Sequence, residues 1–465
     1  MQQNLFKSEC HLFEVDQRRV LFDVLRGDFF EIDDVTRDVL DACDGQASGE
    51  IVDSLRGCHR PEEIQSVLEE LEQAEILTGE PLRMAPFHPP SRIEIAHLSL
   101  CVTRDEGRRE TDLAPLYMSE AVALGAVDLL FRESGALRDC EVTFEGGDPL
   151  LNLPLLRRII EYGEEQASLL GKQIAFEVVT SGALLTRRVV DTFIEKGVAI
   201  VLEFGSDDDD ERGERVASAL RAGNLPEALH LRVVASGRCL DLAERVEELA
   251  RRFPFAASIG IRWASLPAGH PDALRVKDLP AIRSALQTLS RHTSHHLLSH
   301  RETFLEEIEG AMAQLLEHQV LFYSCGAGTR SLAVSPEGGL FPCFDLIGWE
   351  PLRMGDVFSG IDSGKYRKWL QDLHVERREP CRTCWARYLC GGGCRADAVL
   401  ATGDAAVANP ISCERIRRTY ELAMAVFLEV DGQDPGVLSS RYLTDLTLSP
   451  KVGTSDEFSV LERYA

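Results

Sequence analysis

The sequence predicts an α/β protein: a partial (β/α)6 TIM-like barrel, with a winged-helix-like domain before it and a cysteine-rich domain after it. Three observations predict this architecture. Strand patterns and helical patterns alternate six times in the middle of the chain, and parallel strands require such crossover connections. Short alternating segments precede three helical patterns near the N-terminus. Seven of the 13 cysteines fall between Cys325 and Cys413.

Composition and charge exclude several classes of protein. The chain has 465 residues, a hydrophobic content of 44% and a net charge of -26. Nucleic-acid binding draws on excess Lys and Arg, so we expect no nucleic-acid partner. The first residues lack a basic segment followed by an apolar core, and no stretch is long enough to cross a bilayer. We therefore expect a cytoplasmic location without a membrane partner, where clustered cysteines indicate metal rather than disulfides.

Residues 1–80 are predicted to form the first domain. Residues 11–34 alternate apolar and polar positions around an Arg-Gly turn, which is typical of short antiparallel strands. Three helical segments follow, and we expect Asp34 to cap the first and Ser48 to cap the second. The third segment places four apolar side chains on one face: Ile64, Val67, Leu68 and Leu71. Together these segments predict a small winged-helix-like unit.

This order of elements resembles the PqqD-like peptide-recognition domain of ribosomal-peptide maturation systems. The resemblance implies that the leader of a precursor peptide adds as a strand to the sheet edge and packs on the third helix, at residues 27–33 and 61–77. A winged helix with another purpose, including DNA binding, is the alternative. Residues 61–77 contain six acids and no Lys or Arg, which argues against DNA.

The middle of the chain is predicted to be a linker, residues 81–94 with four prolines, followed by a barrel over residues 95–320. Helical patterns, for example over residues 119–134 and 241–253, separate the strands. Six strands are predicted, within residues 93–103, 140–147, 172–180, 198–205, 229–236 and 257–264. Six such units imply a parallel sheet covered by helices, and curved closure of that sheet gives the partial barrel.

Two turns at strand ends carry specific motifs. The second strand ends in Gly146, Gly147, Asp148 and Pro149, and the third ends in Thr180, Ser181 and Gly182. These turns resemble the GGEP and TNG motifs of radical S-adenosylmethionine (SAM) enzymes, and residues 95–265 resemble the peptide-modifying branch of that family. The resemblance implies that the backbone of residues 146–149 would grip the methionine amino group of SAM. Tight strand-to-helix turns of purely architectural use are the alternative.

The expected cluster-binding loop departs from that family. Its members follow the first strand with three cysteines spaced C-x3-C-x2-C, which hold the cubane that cleaves SAM. The corresponding positions here are Glu106, Glu110 and Leu113, and the nearby Cys101 lies on the strand itself. Carboxylates are hard ligands and Leu is no ligand, so we expect neither this cubane nor SAM cleavage.

Two interpretations of this acidic loop stay open. Glu106 and Glu110 either bind a cation or a basic residue of a partner, or they belong to a solvated loop. Mixed charges in a loop favour the solvated interpretation. We interpret the acidic run over residues 207–211 in the same way.

The spacing of seven cysteines is the most specific feature of the sequence. They form an early pair, a C-x2-C-x5-C-x3-C segment and a closing cysteine: Cys325, Cys343, Cys381, Cys384, Cys390, Cys394 and Cys413. Residues 321–425 thereby resemble the SPASM domain, which carries auxiliary iron-sulfur clusters in peptide-modifying radical SAM enzymes. The glycines at 391–393 suit close passage of backbone beside a cluster, and flanking aromatic residues can exclude water.

The resemblance implies two [4Fe-4S] clusters and their ligands. The first cluster would be held by Cys325, Cys343 and Cys394, and the second by Cys381, Cys384, Cys390 and Cys413. Some relatives supply a fourth ligand to the first cluster from the position of Ser331, so this iron would be open or bound by serine, water or substrate. Zinc is the alternative metal. Two four-thiolate zinc sites need eight sulfurs, however, and His374 is the only histidine between the first and last of these cysteines.

The remaining cysteines and the C-terminus carry weaker signals. The six other cysteines are expected to be buried as small apolar residues: Cys10, Cys43, Cys58, Cys101, Cys140 and Cys239. Residues 426–465 are expected to form an extended C-terminal tail.

Three functions are compatible with these features. The first is a pseudoenzyme of ribosomal-peptide (RiPP) maturation that binds a precursor leader and supports an active radical SAM partner protein through its iron-sulfur clusters. The second is an enzyme that modifies a peptide by redox or metal-assisted chemistry at the first cluster. The third is an electron-transfer protein. The missing barrel cysteines favour the first function, in which this chain does not cleave SAM.

Overall fold

The computed structural model describes residues 4–81, 94–104, 116–205, 215–218, 220 and 229–443. Several predicted positions lie outside these described residues: Glu106, Glu110, Leu113, the acidic run 207–211 and most of the linker 81–94. The interpretations given for them stay predictions.

The N-terminal part consists of short antiparallel strands and three helices. The strands are β1 (Asn4–Lys7), β2 (Cys10–Val15), β3 (Arg18–Asp23), β4 (Phe29–Glu31), β5 (Gln46–Ala47) and β6 (Leu77–Thr78). The helices are α1 (Asp34–Ala42), α2 (Ser48–Leu55) and α3 (Pro61–Gln73). Strands β2, β3 and β4 form one sheet, and β5, β1 and β6 form another. The apolar stripes of the helices bury Ile51, Ile64 and Leu68 in a core that also contains Leu21.

Two helix starts differ from the prediction. Helix α1 is capped by Asp33, whose carboxylate accepts a hydrogen bond from the Thr36 amide at 2.8 Å, and Asp34 lies within the first turn. Helix α2 begins at Ser48 itself, after the N-cap residue Ala47, and has no side-chain cap. The extended backbone at position 33 directs the Asp33 carboxylate at the free amides of the first turn, which position 34 cannot do.

A parallel sheet forms the centre of the chain and follows the six predicted strands. Its long strands are β7 (His97–Arg104), β9 (Asp139–Gly146), β10 (Gln173–Thr180), β11 (Val198–Phe204), β12 (Leu229–Ala235) and β13 (Ser258–Trp263). The short strands β8 (Leu116–Tyr117) and β14 (Phe304–Leu305) pair with β7 and β13. The parallel order is β14-β13-β12-β11-β10-β9-β7, which confirms the predicted α/β class.

Helices connect these strands and cover one face of the central sheet. They are α4 (Glu120–Glu133), α5 (Leu153–Leu170), α6 (Arg187–Glu195), α7 (Leu242–Arg252), α8 (Leu279–Leu298) and α9 (Glu306–Leu316). Alternate strand residues such as Val142, Phe144 and Val178 are buried in the core with apolar helix residues. The residues between them, including Glu145 and Glu177, lie on the opposite face. That face therefore carries polar and charged side chains.

The cysteine-rich part begins with short strands that extend the central sheet. Strand β15 (Ser331–Val334) pairs in parallel with β7, and β16 (Gly339–Phe341), β17 (Gly355–Asp356) and β18 (Gly360–Ile361) follow in antiparallel order. The helices are α10 (Ser363–Leu373), α11 (Arg387–Cys390), α12 (Arg395–Thr402), α13 (Pro410–Gln433) and α14 (Pro435–Leu438). Because β15 adds directly to β7, the cysteine-rich part and the central sheet share one core.

The beginning of the expected tail is helical. Helix α13 continues to Gln433 and α14 follows it, so the chain is still folded well beyond position 426. Val426, Val430 and Leu438 are buried in the main core, and that burial stabilises the helical conformation. This corrects the predicted start of the tail, and residues 444–465 lie outside the described part of the chain.

The scattered cysteines follow their prediction in most cases. Cys43, Cys101, Cys140 and Cys239 are buried, whereas Cys10 is half-buried and Cys58 is exposed. The prediction for Cys58 was wrong because this residue lies in the turn between α2 and α3, outside the apolar stripe of either helix.

Within the described residues, no helix combines the length and the apolar composition that crossing a bilayer requires.

Candidate metal centre

Three of the clustered cysteines lie together beside the central sheet. Cys325 is in the loop between α9 and β15, Cys343 follows β16, and Cys394 caps α12. Burial raises the pKa of the Cys343 thiol well above its usual value, and the negative charges of Asp345 and the other two cysteines raise it further. Burial also raises the pKa of Cys394 to about 11, with a contribution from Cys325. The three residues predicted for the first cluster are therefore neighbours.

The other four clustered cysteines form a second group. Cys381 lies in a short 3-10 turn that Cys384 follows, Cys390 ends α11, and Cys413 lies in the first turn of α13. Burial raises the pKa of the Cys390 thiol to about 12, and the charges of the other three members add to the increase. Burial raises the pKa of Cys413 as well, with contributions from Cys381 and Cys384. The chain thus brings together the four residues predicted for the second cluster.

The chemistry of both groups suits iron-sulfur clusters. All seven thiols are free of disulfides. Thiolate is the soft ligand that such clusters require, and the repulsion between neighbouring thiolates is relieved when they bind cationic iron. Nowhere in the described ranges do three His, Cys, Asp or Glu side chains stand close enough to hold one metal ion. Thiolates that share a cubane bind separate irons, so they stand further apart than the ligands of one zinc.

A glycine turn joins the two groups of cysteines. Gly391, Gly392 and Gly393 all have positive φ, of 60°, 95° and 75°, which favours glycine. A Cβ at Gly391 would stand 2.3 Å from the backbone carbonyl carbon of Tyr323, whereas a Cβ at Gly393 would meet nothing within 4 Å. The turn therefore packs closely at Gly391 and is open at Gly393.

Two buried arginines hold this glycine turn in place. Arg378 and Arg395 are each only 3% exposed. Arg378 donates to the carbonyl of Gly392 and, at 3.0 Å each, to the carbonyls of residues 405 and 406. Arg395 donates to the Gly392 carbonyl at 2.8 Å and to two further carbonyls. Burial raises the pKa of the Cys381 thiol and Arg378 opposes this effect, so the guanidinium favours the anionic, metal-binding form of that thiol.

Ser331, predicted as a fourth ligand position, begins strand β15 and pairs with His97 of β7. Its Oγ would stand 3.2 Å from a Cβ placed on Gly326, the residue that follows Cys325. Ser331 is therefore adjacent to the three-cysteine group, and its role as a ligand stays a prediction.

The GGDP turn is bound by the neighbouring strand ends. The Asp148 carboxylate accepts hydrogen bonds from the Leu150 amide at 3.0 Å, from the Thr180 hydroxyl at 3.1 Å and from the Ser181 hydroxyl at 3.2 Å. The first of these contacts caps a short 3-10 turn, and the other two connect β9 to β10. The two motifs singled out in the sequence therefore bind each other through their side chains.

The glycines of the same turn approach the end of strand β7. A Cβ at Gly146, whose φ is 147°, would stand 2.0 Å from the carbonyl oxygen of Thr103. The Gly147 amide donates to that same oxygen at 3.0 Å, and the Thr103 hydroxyl donates to the Asp148 carbonyl at 3.1 Å. This close approach explains the need for glycine by architecture alone.

The face of the central sheet opposite the helices carries a half-buried ion-pair network. Arg262 of β13 lies 2.8 Å from Asp345 and 3.7 Å from Glu203. Burial disfavours the Arg262 charge, but these two carboxylates outweigh burial and raise its pKa. Burial raises the pKa of Glu145 to about 7, although Arg262 opposes the increase. Because Asp345 is two residues from Cys343, the network connects this face of the sheet to the first group of cysteines.

The N-terminal part docks beside the second group of cysteines. The His11 ring stacks on Trp385 with centroids 4.0 Å apart, and its Nε2 lies 3.3 Å from Glu421 of α13. Arg387 forms a two-pronged ion pair with Glu9, one contact of which is 2.6 Å long. Trp385 and Arg387 both belong to the segment between the second and third ligands of this group. The sheet of β2, β3 and β4 is thus held against the cluster-binding segment.

Sequence reasoning missed four of these residues: Arg378, Arg395, Arg262 and Asp345. Their types are common, and only the fold shows that the first two are buried, that the other two are half-buried and which residues they contact. One available signal was local charge. The segment 363–395 contains eight Lys and Arg against three Asp and Glu, in a chain whose net charge is -26.

Comparisons with known proteins agree with this fold. No family model matches the chain. The chain is 24% identical over 305 residues to the PqqA peptide cyclase of Granulibacter bethesdensis, covering 60% of this chain and 75% of the relative. It is 26% identical over 312 residues to the PqqA peptide cyclase of Streptomyces rochei, covering 60% of this chain and 76% of that relative.

Solved structures of anSMEcpe share the fold. With bound AdoMet, that protein aligns with a TM-score of 0.60 at 15% identity over 75% of this chain and 98% of its own. With bound AdoMet and a Kp18Cys peptide, the TM-score is 0.58 at 16% identity, over 72% and 99% of the two chains. The fold is that of the radical SAM enzymes. The resemblance to radical SAM peptide maturases that the sequence motifs predicted is confirmed by these relatives.

Proposed function

We propose that this chain is a pseudo radical SAM/SPASM protein of RiPP maturation. It binds a precursor peptide and supports its modification by an active partner enzyme through two [4Fe-4S] clusters. The observation that carries the proposal is the division of the seven thiols into a group of three and a group of four. When bound, the clusters would supply storage and transfer of single electrons.

The ligand assignment of this proposal follows the two thiol groups. Cys325, Cys343 and Cys394 hold the first cluster, and the group that contains Cys390 and Cys413 holds the second. The glycine turn provides space, and the two buried arginines balance the negative charge of the thiolates. Arg378 and Arg395 act by positioning this turn.

The proposal assigns no SAM cleavage to the chain itself. The sequence between Cys101 and Cys140 contains no cysteine, so the cubane that cleaves SAM in the family lacks its thiolates here. The Asp148 carboxylate is engaged by Thr180 and Ser181, which supports an architectural use of the turn. A partner with an intact C-x3-C-x2-C loop would therefore carry out the radical step.

Peptide binding is assigned to the open edge of β4. In the sheet order β2-β3-β4, this strand has a neighbour on one side only among the described residues. Phe30 on β4 is 41% exposed, a large fraction for a side chain of this size. A peptide strand that adds to this edge gains backbone hydrogen bonds and can cover Phe30. The relatives named as PqqA peptide cyclases and the peptide-bound anSMEcpe structure support a peptide as the partner.

Iron content and SAM turnover test the cluster part of the proposal. After anaerobic reconstitution, the protein should contain about eight irons per chain, as two cubanes require. With SAM and reductant it should release no 5′-deoxyadenosine. A content of about twelve irons with 5′-deoxyadenosine formation, or zinc without iron, would refute the proposal.

Leader binding tests the peptide part. A dye-labelled leader from a candidate precursor should bind the full-length protein, and Phe30→Asp should weaken that binding by at least tenfold because it places a charge at the strand edge. Leu169→Asp is the matched control, since Leu169 is 73% exposed on α5, far along the chain from β4. Equal affinities for both variants and the unsubstituted protein would refute binding at this edge.

The group of three thiols supports a second candidate function. A cubane with three cysteine ligands leaves one iron for Ser331, water or substrate, so the chain would be an enzyme that modifies a peptide at that iron. Turnover of a precursor without any partner enzyme, and its loss in Cys394→Ala, would favour this candidate over the pseudoenzyme.

A further inference from the structure

A groove of about 830 Å³ lies on the cysteine-rich part, away from the edge of β4. One wall is the outer side of α10 with the turn before β17, and the other is the loop after α12. Its lining is mostly apolar and includes two of the four tryptophans of the chain: Trp349, Pro351, Leu352, Met354, Trp369, Leu373, Val399, Ala405 and Ala406. Apolar grooves of this size are typical of ligand or peptide sites.

Cations surround this groove in a strongly acidic protein. Lys365, Lys368 and Arg377 line it, against Asp372 and Asp404. Lys368 is paired with Asp372. Asp404 accepts from the amide of residue 406 in its own loop. Within the part of the chain that the structure describes, neither Lys365 nor Arg377 forms an ion pair, although Lys365 Nζ donates to the carbonyl of Arg353 at 2.8 Å, so the charges of both cations are left for an anionic group.

The groove is connected to the glycine turn by the two buried arginines. Residues 373, 405 and 406 line the groove, and their carbonyls accept hydrogen bonds from Arg395 and Arg378. The same guanidinium groups hold the carbonyl of Gly392 on their other side. One layer of side chains therefore separates the groove from the segment that joins the two groups of cysteines.

We propose that this groove binds an extended peptide segment in which acidic residues alternate with aromatic or aliphatic ones. The concave shape suits a single chain more than the convex surface of a folded protein, and tryptophan and arginine are the residues that anchor peptides most strongly. Apolar side chains lie against Trp349 and Trp369, and carboxylates meet Lys365 and Arg377. A basic ligand is disfavoured by these cations, and a nucleic-acid ligand by the net charge of -26 of the whole chain.

The inference rests on the proposed function in one respect, since it gives the peptide partner a second contact and a chemical class. The groove lies on α10 and α12, whereas the leader edge lies on β4. An acidic, apolar segment of the precursor would bind beside the clusters while the leader binds the N-terminal part. Substitutions can then abolish binding at either contact without affecting the other.

Peptides of defined charge test the groove. A dye-labelled eight-residue peptide that alternates Glu with Leu and Phe should bind the full-length, reconstituted protein, and its Lys counterpart should not. Added salt should weaken the binding, because the cations are at the surface. Binding of both peptides alike, or of neither, would overturn the proposal.

Two charge-reversal variants locate the binding. Lys365→Glu combined with Arg377→Glu should weaken the acidic peptide by at least tenfold and should let the Lys peptide bind. Arg367→Glu is the matched control, because Arg367 is exposed on the same helix but does not line the groove. The milder pair Lys365→Gln with Arg377→Gln should have an affinity for the acidic peptide between those of the unsubstituted protein and the Glu pair. Equal effects of Arg367→Glu and the groove pair would overturn the proposal.

The leader variant separates this inference from the proposed function. Phe30→Asp should leave the affinity of the acidic peptide unchanged, and the groove variants should leave the affinity of the leader unchanged. If leader binding fails in every form of the protein while the acidic peptide still depends on Lys365 and Arg377, the proposed function falls and the groove stands. If leader binding depends on Phe30 while binding of the acidic peptide does not depend on Lys365 and Arg377, the groove proposal falls and the proposed function stands.

Discussion

The strand-end loops of the central sheet and the cysteine-rich part both carry specific motifs, but their side chains are used differently. In the loops, Asp148 is engaged by Thr180 and Ser181, and Gly146 packs against the carbonyl of Thr103. In the cysteine-rich part, seven thiols are free of disulfides, and a glycine turn with open space runs between them. Motif side chains that hydrogen-bond one another stabilise the fold. Motif side chains that lie close together without bonding to one another suit the binding of a metal cluster.

The same difference extends to charge. On the face of the sheet opposite the helices, Arg262 is paired with Glu203 and Asp345, so the cation is neutralised by the chain itself. Around the glycine turn, Arg378 and Arg395 donate to backbone carbonyls, and Arg378 also lowers the pKa of the Cys381 thiol. Their positive charge is therefore left to balance the thiolates nearby.

The largest expected effect separates the two groups of cysteines. Cys390→Ala should lower the iron content of the reconstituted protein from about eight to about four per chain, because one cubane loses a ligand while the other group is intact. Iron analysis and electron paramagnetic resonance of the reduced protein measure this. Cys58→Ala, at an exposed cysteine outside both groups, should change neither. Loss of all iron in Cys390→Ala would show that the groups do not bind independently.

The second effect concerns the arginine that supports the glycine turn. Arg378→Met should lower the free energy of unfolding by about 3 kcal/mol, since three carbonyls lose a buried donor. Urea unfolding of the metal-free protein measures the change. Arg382→Met should leave the stability unchanged, because Arg382 is exposed and its ion pair with Glu379 is solvated. Similar values for the two variants would contradict the role assigned to Arg378.

The third effect is a pH dependence of the free energy of unfolding, which arises on the face of the sheet opposite the helices. Burial raises the pKa of Glu145 from 4.5 to about 7, so the folded state holds a proton that the unfolded chain releases. The resulting stability is fully present below pH 4.5 and is lost as the pH rises to about 7. Glu145→Gln should remove this slope and stabilise the protein by about 2 kcal/mol at pH 8.

Urea unfolding between pH 4.5 and pH 8 measures that slope. Glu164→Gln is the control, because Glu164 is exposed and paired with Lys196 at the surface. A slope that persists in Glu145→Gln would contradict the assignment of the proton to this side chain.

The smallest effect concerns the strand-end loops. Asp148→Asn should lower the free energy of unfolding by about 1 kcal/mol, because the amide keeps one acceptor but loses the charge that strengthens the contacts from Thr180 and Ser181. The iron content should stay unchanged. Asp139→Asn, at an exposed position at the start of β9, should have no effect on either quantity. Loss of iron in Asp148→Asn would contradict an architectural use of this turn.

Much of the architecture follows from local patterns. The six central strands and their parallel order were predictable because apolar periodicity and alternation with helices are local properties of the chain. The two thiol groups were predictable through the resemblance of the cysteine pattern to the SPASM domain, which implies how its seven cysteines divide. The C-terminal tail was predicted to start too early, at residue 426, since Val426 and Val430 are recognised as core residues only when the surface that buries them is known.

The tertiary structure alone decided which polar residues are buried and what they contact. Arg378 and Arg262 look like ordinary surface residues in the sequence, and they differ only because distant segments enclose them. The stacking of His11 on Trp385 joins positions that are far apart in the chain. Local patterns reflect propensity and periodicity, which act over a few residues, whereas burial of charge depends on contacts between segments that are well separated in the chain.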